Sequence, residues 1–256
     1  MKNIINITSI KNDKIKYFLS LQDKKVRNKE QRFIVEGYHL VEEAGKTNLL
    51  EAIITTDSKN FNKFKDIEGY LVTMPIIEKL STTKNPQNIL GVVKVMDHSI
   101  NLLESILKKE SVRLLLLDEI NDPGNLGTII RTTAALNFDG IVMSIDTVDL
   151  YNEKVIRATQ GVLFKIPIIR GNIIDIIKLL KQNDVKCYGT SLNQASFINE
   201  ISKSDKMAFC VGNEARGVSS EVLTLMDENI KIKMNNDVES LNVGVAAAII
   251  MYEFSK

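Results

Sequence analysis

The sequence predicts an α/β protein in two parts. A small α/β domain is expected over residues 1–96. Beyond a linker at 97–110, a larger domain is expected over 111–256, with a mostly parallel sheet and helices on both faces. Three observations predict this. From residue 111 onward, short apolar runs alternate with helix-like stretches, the pattern of strand–helix–strand units. Those runs are continuously apolar, as strands buried on both faces are. Before them, 97–110 is polar and loosely patterned, which marks a boundary.

Taken in order, 14–30 (KIKYFLSLQDKKVRNKE) predicts a basic helix, with Ile15, Phe18, Leu19 and Val26 apolar among lysines. A strand at 32–37 ends at Gly37, and the helix after it stops at Gly45. A strand at 50–55, a helix at 58–66, a strand at 69–72, a short helix (IIEKLS) and a strand running to Met96 complete the first unit. In the second, strands are expected at 112–117, 140–144, 165–169, 185–190, 207–211 and 230–234. Helices are expected at 126–137, 152–160, 173–182, 219–226 and 241–254.

Composition excludes several function classes. Hydrophobic residues make up 44% and charged residues 25%, ordinary for a chain that buries a core. No apolar run approaches the roughly 18 residues of a membrane span and no signal-peptide core is present, so a soluble, cytoplasmic protein is expected. Cys187 and Cys210 lie in strand-like stretches and read as buried free thiols. With no CxxC and with His39 and His98 far apart, no metal site is expected. The net charge of +1 is uninformative, but residues 1–36 carry nine Lys/Arg against four Asp/Glu. This basic arm suits an anionic partner such as nucleic acid, or is a solvated amphipathic helix.

Ligands of parallel α/β sheets bind beyond the carboxyl ends of the strands, and three corners there are unusual. In NDPGNLGTIIRTTAALN (121–137), Asp122-Pro123-Gly124 is turn chemistry and Asn125 is the expected N-cap. Leu126, Ile129, Ile130, Thr133, Ala134 and Asn137 form the expected buried stripe, off which Arg131 projects. In FCVGNEARGVSS (209–220), Gly212 and Gly217 bracket Glu214, so that backbone is free to approach a ligand, and Ser219 or Ser220 caps the next helix. In the third corner Ser240 is the expected cap of a helix dense in small residues, Gly244, Ala246, Ala247 and Ala248, with polar Asn242 at its start.

Together the three motifs resemble the SpoU (TrmH) family of RNA ribose 2′-O-methyltransferases, of the knotted SPOUT class. The matching residues are Asn121, Pro123, Asn125, Gly127 and Arg131, then Gly212-Asn213-Glu214 with Gly217, then Glu239-Ser240-Leu241-Asn242-Val243. YNEKVIRATQGVLFKIPI (151–168) is similar to the family's sequence before its central strand. FIVEGYHLVEEA (33–44) looks like part of the RNA substrate-binding domain that precedes the catalytic domain in many members. Two positions depart: where members commonly have a proline before the methionine and a glycine in the following loop, this chain has Lys233 and Asn236.

The resemblance implies S-adenosylmethionine (SAM) as methyl donor, a deep trefoil knot whose loops hold it, a homodimer with the active site at or near the subunit interface, and no metal. It implies Arg131, Asn125, Glu214, Ser240 and Asn242 as the catalytic set. Cofactor contacts are implied around Thr190, Gly212, Glu214, Gly217, Ile232, Met234 and Leu241. The family is often described with the arginine at this place in the motif, here Arg131, as the base. A guanidinium is essentially never deprotonated in proteins, so a cationic role, holding phosphate and stabilising the developing alkoxide, is physically preferable. The expected substrate is 23S ribosomal RNA. The alternatives are tRNA 2′-O-methylation and a catalytically silent RNA-binding or ribosome-assembly protein. A nicotinamide enzyme is set aside for want of a G-x-G-x-x-G corner.

Overall fold

The computed structural model describes residues 4–64, 66–235 and 237–255. The chain divides into two compact units, Met1–Met96 with Asp149–Phe164, and Asp97–Val148 with Lys165–Lys256.

The first unit contains β1 (Ile4–Ile7), α1 (Asp13–Ser20), α2 (Lys24–Glu30), β2 (Arg32–Glu36), α3 (Tyr38–Gly45), β3 (Leu50–Thr55), β4 (Glu68–Val72), α4 (Met74–Leu80) and β5 (Ile89–Lys94). Its sheet runs β1-β4-β3-β5-β2, with β5 antiparallel to both neighbours. Ile15, Phe18, Leu21, Tyr70, Ile76, Ile77 and Leu80 pack in one core cluster. The single basic helix expected at 14–30 is two helices. Asp23 accepts hydrogen bonds from the Lys25 and Val26 N–H groups and so starts a new helix. Among its described residues, the segment expected as a helix at 58–66 holds only a 3₁₀ turn at Ser58–Asn62.

The second unit opens with α5 (Ile100–Leu107), inside the segment expected as a linker. Its Leu103, Ile106 and Leu107 are buried, a three–four spacing that the flanking polar residues obscure. There follow β6 (Val112–Asp118), α6 (Pro123–Ala135) and β7 (Gly140–Ser144). The next segment, Asp149–Phe164 with α7 (Glu153–Thr159), clusters with the first unit, so the division by sequence at residue 97 differs from that in space. Within that unit Asp149 ion-pairs with buried Arg27, and the Tyr151 ring packs on Phe33 with centroids 4.4 Å apart. The second unit resumes with β8 (Ile168–Gly171), α8 (Ile173–Gln182), β9 (Lys186–Thr190), β10 (Ser196–Phe197), β11 (Lys206–Gly212), α9 (Ser220–Leu223), β12 (Glu228–Lys231) and α10 (Val243–Glu253).

Its sheet is parallel throughout and runs β10-β12-β9-β11-β6-β7-β8. Every residue of β6 is buried, as a continuous apolar run requires at the middle of a covered sheet. From β6 the chain adds β7 and β8 on one side, whereas β11 and β9 lie on the other. The β6/β11 junction is therefore a topological switch point, the place in an open α/β sheet at whose carboxyl ends ligands generally bind. Among the described residues, no helix is long and apolar enough to cross a membrane, and no cluster of potential metal ligands occurs.

Candidate active site

β6 and β11 pair in register with Asp118 opposite Gly212, so the loops that follow emerge side by side. Pro123 is tolerated in the first turn of a helix, and here α6 begins there. Its N-cap is Asp122, not the expected Asn125: Asp122 Oδ1 accepts from the Asn125 N–H at 2.8 Å. Asn125 thus lies in the first turn with its amide free for other partners. The expected stripe also ends earlier, because the helix stops at Ala135 and Asn137 is exposed with φ 57°.

Glu214, from the loop after β11, collects three donors of the first corner. These are the main-chain N–H groups of Asn121 at 3.2 Å and Asp122 at 3.1 Å, and Asn125 Nδ2 at 3.0 Å. Partial burial pushes the Glu214 carboxyl up. The hydrogen bonds from Asn125 and from main-chain N–H groups outweigh this and hold it below the ordinary glutamate value. It is an ionised acceptor at neutral pH, not a proton carrier.

Asn242 joins the same network from the third corner. It is the N-cap of α10, where Ser240 was expected. Its Oδ1 accepts from the Gly244 and Val245 N–H groups at 2.9 and 3.3 Å. Capping commits the oxygen, so the Asn242 Nδ2 is left to donate to Asn125 Oδ1, at 2.9 Å. Asn125 in turn presents Nδ2 to Glu214. The chain Asn242–Asn125–Glu214 therefore runs in one donor direction, set at one end by a helix cap and at the other by a carboxylate.

The glycine loop is built from within. Asn213 Oδ1 accepts from the Ala215 and Arg216 N–H groups, while its Nδ2 donates to the Glu119 carbonyl at 3.0 Å. A Cβ at Gly212 would stand 2.2 Å from the Gly217 backbone, so this crossing admits only glycine. Gly217 has φ 69°, and a Cβ there would enter space clear of other atoms for 4 Å. Asp118 Oδ2 accepts from the Ser219 N–H at 2.8 Å, which anchors the start of α9. Sequence reasoning counted Asn213 only as a motif residue and gave Asp118 and Glu119 no role. A polar residue directly after a buried strand was the available signal for Asp118.

The remaining expected residues fall into two groups. Thr190, at the end of β9, donates through Oγ1 to the Cys210 carbonyl at 3.0 Å. Ile232, Met234 and Leu241 are half-buried in the segment between β12 and α10. Ser240 and Lys233 are exposed, and Asn236 lies outside the described residues. Arg131 is exposed on α6 and, among the described residues, has no hydrogen-bond or ion-pair partner. Six residues at ~100° each put it about 240° around the helix from Asn125, so the network does not hold it. Cys187 and Cys210 are buried and free, and burial pushes the Cys187 thiol up to about 12.

Residues 113–252 match the SpoU rRNA methylase family, and residues 12–91 match the MRM3-like substrate binding domain. The chain is 36% identical to the 23S rRNA (guanosine(2553)-2'-O)-methyltransferase RlmP of Bacillus subtilis, over 96% of this chain and 97% of that protein. It is 28% identical to an uncharacterised tRNA/rRNA methyltransferase of Synechocystis sp., over 98% and 93% of the two chains. The crystal structure of an AdoMet-bound rRNA methyltransferase from Sinorhizobium meliloti superposes with a TM-score of 0.90 at 28% identity, covering 98% of this chain and 97% of that one.

Proposed function

The chain belongs to the SpoU rRNA methylase family, and we propose that it methylates a ribose 2′-hydroxyl of 23S ribosomal RNA with SAM as donor. The observation that carries this reading is the Asn242–Asn125–Glu214 network, which ties all three family motifs at the carboxyl edge of the sheet. Near-full-length similarity to the B. subtilis 23S rRNA enzyme supports the choice of RNA.

The residues present fit SAM. Thr190, Gly212, Gly217, Ile232, Met234 and Leu241 are uncharged, suited to a nucleoside and a thioether, and the open space beside Gly217 lets a ligand lie against backbone. When bound, SAM supplies an electrophilic methyl group. This chain's residues then have to hold the ribose in line and stabilise the oxygen as it becomes negative. Glu214 is saturated by donors from α6 and its approach, so in this reading it positions that helix. Asn125 and Asn242 fix the geometry between the motifs. Arg131 serves as the cation for phosphate and alkoxide, since its guanidinium keeps its proton. The reading includes a knotted arrangement of the three loops, as in the SPOUT class.

A homodimer belongs to the same reading. Val245, Ile249 and Tyr252 form an exposed face on α10 beside Leu136 and Ala248, and Tyr252 is 75% exposed. A helix apolar on all sides asks for a partner on each. Thr128, one turn before Arg131, lines the same face. A second copy there would come close to an arginine that has no partner among the described residues of its own chain.

The test is transfer of tritiated methyl from SAM to unmodified, in vitro transcribed 23S rRNA, followed by mapping of the 2′-O-methyl. A product carrying one such mark supports the reading, and no transfer to 23S rRNA, or transfer to tRNA alone, overturns it.

A further inference from the structure

The Glu119–Arg216 ion pair is unexplained by the fold or by the network above. Glu119 follows β6 and has φ 57°, a left-handed conformation unfavourable for a residue with a side chain. It is clamped there: its N–H donates to Ser144 Oγ at 3.0 Å, and its carbonyl accepts from Asn213 Nδ2 at 3.0 Å. The constraint aims its carboxylate at the Arg216 guanidinium, and the two are ion-paired.

Stability does not account for this arrangement. The Arg216 side chain is 70% exposed, and an exposed single pair contributes little to folding. The backbone of Arg216 is fixed by the Asn213 side chain, two residues after Glu214. A rigid turn thus presents an open cation at the rim of the site. The two loops that an RNA would have to approach also carry Glu119, Asp122 and Glu214, three acidic side chains. A phosphodiester entering there meets repulsion unless a cation is available to receive it.

Resting on the RNA methyltransferase reading, the geometry points to Arg216 as an anchor for a phosphate of the RNA near the target ribose. Glu119 is its exchangeable counterion. The free protein keeps the guanidinium placed and its charge satisfied. On RNA binding a phosphate replaces the carboxylate, in the bidentate geometry that guanidinium offers to either group. Exchange, rather than a bare cation, moderates non-specific binding to any polyanion.

The experiment measures affinity for in vitro transcribed 23S rRNA over a salt series, with methyl transfer and SAM calorimetry on the full-length chain. Arg216→Gln is expected to raise KM about tenfold and to lower the slope of log affinity against log salt by about one, as loss of one phosphate contact does. SAM affinity should not change. Glu119→Gln is expected to tighten RNA binding severalfold, because the guanidinium no longer has a competing carboxylate. An unchanged salt slope in Arg216→Gln overturns the proposal. So does a Glu119→Gln protein that melts earlier and binds RNA as weakly as Arg216→Gln, since the pair would then be structural. Failure of the wild type itself to methylate 23S rRNA would instead overturn the underlying reading.

Discussion

Asn125 and Asn242 lie 117 positions apart and share a hydrogen bond of 2.9 Å between their amides. One is in the first turn of α6 and the other caps α10, so the two helices that flank the site are registered to each other by side chains at their starts. Because the cap fixes one amide and Glu214 fixes the other, neither can flip without losing a partner.

Asn242→Asp separates capping from this link. Aspartate caps as well as asparagine, so Tm should stay near wild type, whereas the donor to Asn125 is lost and replaced by a charge. Methyl transfer should fall at least tenfold. Asn242→Ala should lose the cap as well, at about 1 kcal/mol. Equal activity in the aspartate variant and the wild type would show that capping is the whole role of the residue.

Arg131→Ala should abolish methyl transfer, by about a hundredfold or more as removal of a transition-state donor does. Thermal stability and SAM affinity by calorimetry should be unaltered, because the side chain is exposed and, among the described residues, has no hydrogen-bond or ion-pair partner. Arg131→Lys should recover little, since a point charge does not reproduce the bidentate fork.

Glu214 makes a signed pH prediction. Its pKa is lower folded than unfolded, so its contribution is fully present above the unfolded value and is lost as pH falls through the folded one. Glu214→Gln should therefore be less stable than wild type at neutral pH, with the gap narrowing on acidification below about pH 4.3. Denaturant titrations across that range read the gap directly, and a constant difference would contradict the assignment.

Asp149→Ala should be among the most destabilising changes in the first unit. Arg27 is buried, donates to the Leu21 and Gln22 carbonyls at 3.1 and 2.6 Å, and would lose its counter-charge. Removing one partner of a buried pair costs about 3–5 kcal/mol. Arg27→Met combined with Asp149→Leu should recover much of the Tm. Arg27 is thus tied into this unit, whereas Lys24, Lys25 and Lys29 of the basic arm stay exposed.

Val245→Glu tests the exposed face of α10. A charge there should leave the fold intact and give a monomer by light scattering, with methyl transfer lost. An active monomer would remove the second copy from the reading of the site.

The apolar runs were legible because strands buried on both faces need no alternation to be recognised. The strands expected at 140–144 and 50–55 appear as Gly140–Ser144 and Leu50–Thr55. The caps were not legible, since several Asx residues stood at each corner and only φ/ψ decides among them. Asp122 and Asn242 took the roles expected of Asn125 and Ser240. The helix Ile100–Leu107 was missed because its three buried side chains are diluted by polar neighbours.

By itself the sequence determined the parallel α/β architecture, the three motif corners and the family they resemble, because apolar periodicity and glycine, proline and asparagine spacing are local properties. Tertiary structure decided what those corners do to one another. Pairing of β11 with β6 brought Glu214 to Asn125, and the α10 cap brought Asn242 to the same amide. It also took Asp149–Phe164 into the first unit and left Arg131 outside the network. These outcomes depend on strand order and amide orientation, which hydrogen bonds between distant residues fix and neighbouring residues do not encode.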